Sequence, residues 1–183
     1  DNQTYKFAEV NGLEWMSENY NYAQEPGTGS WYYGQADRAV VQGGHPLETE
    51  EDRKFYGRLY TWHTANRATP EGWRLPTIEE IDDLENSLGG PLYALEEIVL
   101  GGETGIDFNY AGYFDIISSQ DPALRNVFSS METFGVFWTA NYNPNYDSTT
   151  VEIVQANGDF LSEGSISATY NAASVRYVRD IQN

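Results

Sequence analysis

Alternating apolar and polar positions mark both ends of the chain, and this alternation is typical of half-buried β-strands. Residues 4–16 read TYKFAEVNGLEWM, with one alternating run on each side of Asn11-Gly12. Because Asn and Gly both tolerate positive φ, this dipeptide predicts a two-residue hairpin turn. Near the other end, ASVRYVRD, residues 173–180, predicts a closing strand.

In the first half of the chain, apolar residues recur every three to four positions, which predicts helices. Residues 52–68, DRKFYGRLYTWHTANRA, are predicted to form one helix. In the stretch PEGWRLPTIEEIDD, Thr77 is followed three positions later by Glu80, which is the sequence signature of a capping box. The helix that begins there is expected to end at Gly89-Gly90.

Strand patterns dominate the second half, after a short third helix predicted for PLYALEEIV, residues 91–99. TGIDFNYAGYFD and GVFWTANY have the composition of strands, and STTVEIVQANGDFLSEG predicts a second hairpin that turns at Asn157-Gly158. The order is a hairpin, then helices, then several short strands, without an internal repeat, which predicts a single domain that spans residues 1–183.

The composition is strongly acidic: 28 Asp and Glu against 10 Lys and Arg give a formal net charge of -18. Such a surface repels phosphate groups and anionic lipids, so nucleic acids and membrane surfaces are not expected as partners. The chain has no cysteine, which excludes thiol nucleophiles, thiolate zinc sites and disulfides. No apolar run approaches the roughly 18 residues of a membrane helix. Because residue 1 is Asp rather than Met, we expect a mature form or a fragment, with any leader or lipid anchor outside this sequence.

The order of these segments resembles the Fibrobacter succinogenes major paralogous domain family of exported bacterial proteins. The segments that carry the resemblance are TYKFAEVNGLEWMSENYNY, YGRLYTW, PEGWRLPTIEE, AGYFD, FWTA and SVRYVRD. The resemblance implies a C-type-lectin-like fold, the α+β architecture that formylglycine-generating enzymes also use. In that fold two or three helices pack on short antiparallel sheets, and irregular loops carry ligand contacts. The two chain ends pair in one sheet, so residues 5–10 are expected to lie beside residues 175–180.

The resemblance also implies that two disulfides have been lost. Many members of the family have cysteine pairs at the positions occupied here by Tyr32 and Arg53, and by Thr69 and Tyr177. Each bridge would contribute about 2–4 kcal/mol to stability. The oxidation performed by formylglycine-generating enzymes requires cysteine thiolates that hold copper, so this activity is not expected in a chain without cysteine.

A calcium ion is the one cofactor that the sequence leaves open, as a structural ion. Asp107, Asn109 and Asp115 lie close together in GIDFNYAGYFD and are the candidate oxygen ligands. The alternative interpretation is that they are ordinary alternating strand residues. The two histidines, His45 and His63, lie outside any nucleophile-elbow motif, and no catalytic residue is assigned.

The candidate ligand-binding residues lie in the polar loop NYNPNYDS, residues 141–148. Asn amides donate and accept hydrogen bonds, and Tyr rings offer a flat apolar face with a hydroxyl group, which suits sugars or a protein epitope. A long polar, Gly-rich stretch from Asn19 to about Glu51 is predicted to be irregular surface chain, and we call it the first loop. We expect an exposed rim formed by residues 141–148 together with aromatic residues of the first loop. Its predicted members are Tyr142, Asn143, Asn145, Tyr146, Trp31 and Tyr33. The alternative is an ordinary surface turn.

These observations predict a non-enzymatic, exported binding domain at the surface of a bacterial cell. Its partner would be a glycan or a cell-surface protein, recognised through irregular loops. The alternative is a structural accessory subunit packed into an outer-membrane or adhesin assembly, and a carbohydrate-active enzyme is a third possibility. A concave, aromatic-floored cleft would favour the binding of a small ligand, whereas a flat exposed apolar patch would favour an assembly subunit.

Overall fold

The computed structural model describes residues 3–23, 28–116, 126–143, 150–158 and 161–181. Within them the helices are α1 (Glu50–Tyr56), α2 (Trp62–Ala68), α3 (Ile78–Ser87) and α4 (Pro91–Ile98). The strands are β1 (Phe7–Val10), β2 (Leu13–Met16), β3 (Ser30–Trp31), β4 (Val40–Gln42), β5 (Leu59–Tyr60), β6 (Tyr113–Asp115), β7 (Val127–Ser129), β8 (Phe134–Tyr142), β9 (Thr150–Asn157), β10 (Leu161–Ser167), β11 (Asn171–Ala172) and β12 (Val178–Asp180). No helix among these residues is both long enough and apolar enough to span a membrane.

Both ends of the chain contribute strands to one sheet. The predicted first hairpin is confirmed: β1 pairs antiparallel with β2, and Asn11 and Gly12 turn the chain with φ of 51° and 81°. The closing strand β12 pairs with β2, so the sheet order is β1-β2-β12. The prediction that the first and last strands are direct neighbours is therefore wrong. The two-residue turn forces β1 against one edge of β2, and only the other edge is open to β12.

The stretch predicted as one helix is two helices separated by a strand. α1 ends at Gly57, whose φ of 70° lies outside the helical region and suits a residue without Cβ. The chain then runs through the buried strand β5, which pairs with β3, before α2 begins. The periodic spacing of apolar residues is misleading at Phe55, which is 42% exposed and so does not lie on a buried helix face.

The capping box that opens α3 is confirmed. The Glu80 amide donates to the Thr77 hydroxyl (3.2 Å), and the Thr77 amide donates to the Glu80 carboxylate (2.9 Å). The same carboxylate accepts two hydrogen bonds from the Arg74 guanidinium, at 2.6 and 2.7 Å. The predicted third helix is α4, which begins at Pro91 directly after Gly90.

A central antiparallel sheet of order β10-β9-β8 separates two hydrophobic cores. The predicted second hairpin is confirmed as β9 and β10. On one face of the sheet, helices α3 and α4 pack in a core that includes Ile81, Leu84, Leu95, Ile98, Phe137 and Val154. On the other face lies an aromatic core that includes Tyr20, Tyr60, Trp138 and Tyr177.

A third core lies beneath a sheet of order β11-β6-β7-β4. Phe114 and Phe128 stack at its centre, with their ring centroids 4.0 Å apart. The β4–β7 pair is parallel, whereas the other strand pairs of the described residues are antiparallel. Four helices with small antiparallel and mixed sheets confirm the α+β class.

The residues at the positions of the two implied disulfides are held together by noncovalent interactions. The Arg53 guanidinium lies over the Tyr32 ring, 5.1 Å from its centre. The hydroxyls of Thr69 and Tyr177 both donate to the carbonyl of Ala65, at 3.1 and 2.5 Å. Each covalent link that the resemblance implies is thus replaced by a polar or cation–π contact in the same place.

Candidate functional site

A concave site opens where five strands meet at one end of the aromatic core. The cavity has a volume of about 280 Å³. It is lined by Tyr113, Asp115, Phe134, Val136, Gln155, Ile166 and Asn171, which we call the strand cleft. Its volume lies at the small end of the range of ligand pockets, so it suits a single compact group rather than an extended chain.

Backbone pairing positions the polar groups of the strand cleft. β11 pairs with β6 so that Asn171 lies directly opposite Asp115. β8 pairs with β9 so that Val136 lies opposite Gln155. Since directly opposed residues of antiparallel strands have side chains on the same face, these two pairings hold the carboxylate and both amides around one cavity.

Asp115 and Asn171 form a fixed hydrogen-bonded pair. The Asn171 Nδ2 donates to Asp115 Oδ1 at 2.5 Å, and Asn171 Oδ1 accepts from the Ser167 amide at 2.9 Å. Partial burial raises the pKa of the Asp115 carboxyl above its ordinary value, and the bond from Asn171 opposes this rise. Within the described residues the second oxygen, Oδ2, makes no hydrogen bond. It is therefore an acceptor open to a ligand.

Two aromatic rings form the apolar walls of the cleft. Tyr113 and Phe134 meet edge to face, with centroids 6.5 Å apart. Gln155 lies against the backbone of Gly164, where an added Cβ would sit 2.9 Å from the Gln155 Nε2. Gly164 thus leaves the space that the Gln155 amide occupies. This amide makes no hydrogen bond to any residue in the described ranges.

The predicted ligand loop is seen only in part. Tyr142 is 45% exposed, and its ring centroid lies 4.6 Å from that of Trp62. The Trp62 indole donates to the Thr139 carbonyl at 2.8 Å, which fixes this aromatic pair at the surface. The Asn143 amide donates to the Ser165 hydroxyl at 2.6 Å. The other two predicted residues of this loop, Asn145 and Tyr146, lie outside the described residues.

The two predicted members from the first loop do not join that rim. Trp31 is half-buried against Phe114, with ring centroids 5.1 Å apart. Tyr33 is only 1% exposed, and its hydroxyl donates to the carbonyl of Gly43 at 2.6 Å. The expected exposure of Tyr33 is therefore wrong. Its ring fills the third core beside Phe128, where it excludes water rather than meeting a ligand.

The three candidate calcium ligands do not line one site. Asn109 is buried; its amide donates to the Phe55 carbonyl at 2.6 Å, and its oxygen accepts from Asn19 at 2.7 Å. Asp107 accepts from the Gly101 amide and lines a different cleft from Asp115. Within the described residues no group of three His, Asp or Glu side chains is arranged to hold a metal ion. A structural calcium ion stays a prediction from the sequence.

Most residues of the strand cleft carried no functional signal in the sequence. Among them, the sequence indicates a functional role only for Asp115, as a candidate calcium ligand. Tyr113, Phe134 and Gln155 have the pattern of ordinary strand residues. Asn171 lies 56 positions from its partner Asp115, so their proximity depends on the pairing of β6 with β11. No local motif encodes that pairing.

Comparison with protein families matches the sequence over residues 8–179 to the Fibrobacter succinogenes major domain. The match covers nearly the whole chain, and the protein belongs to this family, as the sequence predicted. Neither the curated proteins nor the solved structures gave a match.

Proposed function

We propose that the protein is a non-enzymatic, exported binding domain of the bacterial cell surface that holds a neutral sugar unit in the strand cleft. The observation that carries the proposal is the Asp115–Asn171 pair, fixed at 2.5 Å beside the Gln155 amide and between two aromatic walls. Membership of the family supports the exported location, because the resemblance is to exported proteins.

The chemistry of the cleft matches that of a sugar. Each sugar hydroxyl donates one hydrogen bond and accepts others, so it pairs well with a carboxylate next to amides. Asp115 Oδ2 accepts from a hydroxyl, and the Gln155 amide donates to one hydroxyl and accepts from another. The apolar C–H face of the ring packs on Tyr113 or Phe134, as aromatic side chains favour.

Charge selects neutral sugars over acidic ones. The net charge of -18 repels anionic glycans, and Asp115, the one carboxylate among the described residues that line the strand cleft, adds to that repulsion locally. A single carboxylate in the described lining also favours binding over hydrolysis. Glycoside hydrolases of the usual kind act with two carboxyl groups on either side of the bond that they break.

The fold that we propose is C-type-lectin-like, since both chain ends contribute strands to one sheet and the α+β class agrees with that architecture. The proposed ligand contacts differ from the expectation in one respect. They come from paired strands, whereas the resemblance implied irregular loops. A site on strands is held more rigidly than a site on loops, so less conformational entropy is lost when the ligand binds.

A second candidate function is that of an accessory subunit in an outer-membrane or adhesin assembly. Leu92 and Tyr93 at the start of α4 are 67% and 65% exposed. Neighbouring exposed apolar side chains on one helix are typical of a protein contact. Substitution of both by Ser tests this role, because it would release the domain from such an assembly and leave sugar binding intact.

The experiment for the main proposal is a screen of neutral and acidic oligosaccharides, followed by titration of the best neutral ligand. Asp115→Asn and Gln155→Ala are each expected to weaken binding about tenfold or more, as the loss of a hydrogen bond to a charged or oriented group does. Asp37→Asn is the matched control, since it makes the same chemical change at an exposed residue outside the cleft. Equal binding by all variants, or a preference for acidic sugars, would contradict the proposal.

A further inference from the structure

Both lysines of the sequence, Lys6 and Lys54, line a single cleft on another part of the surface. This cleft has a volume of about 320 Å³. We call it the lysine cleft; its charged and aromatic walls are Lys6, Lys54, Glu18, Glu51, Asp107 and Phe55. In a chain with 28 acidic residues, this concentration of all the lysines at one place is a strong local feature.

The charges of the lysine cleft are not used in ion pairs of the described residues. Among the residues that the structure describes, neither lysine has a carboxylate oxygen within 4.0 Å, although Glu51 lies three positions before Lys54 on α1. Glu18 is held in place by a bond from the backbone amide of Lys6, at 3.1 Å. The cleft therefore presents two ammonium groups and three carboxylates that can meet charges of a ligand.

The apolar part of the lysine cleft is formed by two exposed side chains, one of which lies on helix α1. Phe55 and Leu100 are 42% and 56% exposed. Helix α1 has no buried residue. At its end, the side-chain amide of Asn109 donates to the Phe55 carbonyl at 2.6 Å, and that of Asn19 donates to the Tyr56 carbonyl at 2.8 Å. Since these bonds hold the backbone at the end of the helix, the side chains of Lys54 and Phe55 stay available to a ligand.

An unsatisfied acceptor lies in the adjoining cleft, which shares Glu18 and Lys54 with the lysine cleft. The Oδ1 atom of Asn21 is buried and has no hydrogen-bond partner in the described part of the chain. Buried polar atoms nearly always have a partner, because an unpaired one costs about 1–3 kcal/mol. Because this atom is buried, a donor from a ligand reaches it only after the Asn21 amide turns towards the cleft.

We propose that the lysine cleft binds a short zwitterionic peptide with free ends and an apolar side chain. The peptide carboxylate meets Lys6 and Lys54, and its ammonium group meets the carboxylates of Glu18 or Glu51. The apolar side chain packs on Phe55 and Leu100. Such a ligand has no net charge, so the overall charge of -18 does not repel it.

Isothermal titration calorimetry with the tripeptide Ala-Leu-Ala tests this proposal. The peptide with free ends is expected to bind at least about tenfold more tightly than its N-acetylated or its C-amidated form. Lys6→Met and Lys54→Met keep the apolar stem of the side chain and remove its charge. Each is expected to weaken binding of the free peptide and of its N-acetylated form by about tenfold, and to leave binding of the C-amidated form, which has no carboxylate, unchanged. Arg38→Met, at an exposed cation outside the cleft, is the control and should bind as the parent does.

The inference would be overturned if the parent did not bind the free tripeptide at millimolar concentration, or if it bound free and capped peptides equally. Binding by the lysine variants equal to that of the parent would also overturn it, once their thermal melts show that they are folded. Sugar binding in the strand cleft is measured on the same variants. It is expected to be unchanged, so the outcome for one site does not depend on the other.

Discussion

The guanidinium of Arg53 lies 5.1 Å from the centre of the Tyr32 ring, where the family resemblance implies a disulfide. Arg58 reaches the same ring from a distance of 4.2 Å. Arg53 is further fixed by a bond from its Nε to the Leu47 carbonyl at 3.0 Å. Arg53 thus fastens the loop that carries Tyr32 to α1, and Arg58 fastens it to the segment just after α1. The cation–π link of Arg53 is weaker than a covalent one but falls in the same place.

A double-mutant cycle measures this link. Tyr32→Leu and Arg53→Met each remove one partner, and the coupling free energy between them is expected to be about 0.5–1 kcal/mol, as for cation–π pairs near the surface. The measurement is chemical denaturation of the parent, both single variants and the double variant. Strictly additive effects would show that the two side chains do not stabilise each other.

The stability of the domain should fall at acidic pH in a way that depends on Glu80. Partial burial favours a higher pKa for this carboxyl, but the bonds from Arg74 and from the Thr77 amide outweigh burial and lower its pKa below the ordinary 4.5. An acid with a lowered folded-state pKa contributes stability above its unfolded-state pKa and loses it as the pH falls through the folded value. We expect Glu80→Gln to unfold more easily than the parent at pH 7 and to lose this difference below pH 4.5. A constant difference across that window would contradict the assignment.

The position of the Gln155 amide is expected to depend on Gly164. In Gly164→Ala the new methyl group would meet Gln155 Nε2 at 2.9 Å and displace the amide, whose flexible side chain yields easily. Sugar binding should weaken by about tenfold with only a small change in melting temperature. Gly158→Ala is the control, because a Cβ there meets no atom within 4 Å. Unchanged binding in Gly164→Ala would remove Gln155 from the site.

Sugar binding should also depend on pH through Asp115. Burial raises the pKa of this carboxyl above its ordinary 3.8, so it takes up a proton at a higher pH than an exposed Asp does. Only the charged form offers Oδ2 as a full acceptor. Affinity is therefore expected to fall as the pH is lowered, beginning above the range in which exposed Asp residues titrate. Asp115→Asn should show low affinity without this dependence, and a parent profile that is flat down to pH 4 would contradict the role of Asp115.

Elements with strong local signals could be predicted from the sequence. The Asn11-Gly12 turn and the Thr77–Glu80 capping box depend on residues within four positions, and both are present as expected. The helix predicted for residues 52–68 failed because Gly57 breaks it and β3 recruits the next residues into a strand. Long-range pairing overrode a local periodicity in that case.

The sites could be predicted only in small part. Arg176 shows why: its guanidinium is fully buried and bonds to Asn19 Oδ1 and to the carbonyls of Met16, Ile106 and Asp107. This contact joins segments up to 160 positions apart, and burial lowers the pKa of Arg176 to about 9. The strand cleft is assembled in the same manner, from five strands of which only β9 and β10 have a short motif that reveals their pairing.

The central claim, that the strand cleft binds a neutral sugar, is tested most directly by the side-chain amide signals of an isotope-labelled sample. The best neutral oligosaccharide from the screen is titrated while the NMR signals of Gln155 and Asn171 are followed, with Asn66 on α2 as a reference outside the cleft. The account predicts that the amides of Gln155 and Asn171 shift together and saturate with one dissociation constant, while the Asn66 amide does not move. Saturable binding that leaves both cleft amides unshifted would contradict it.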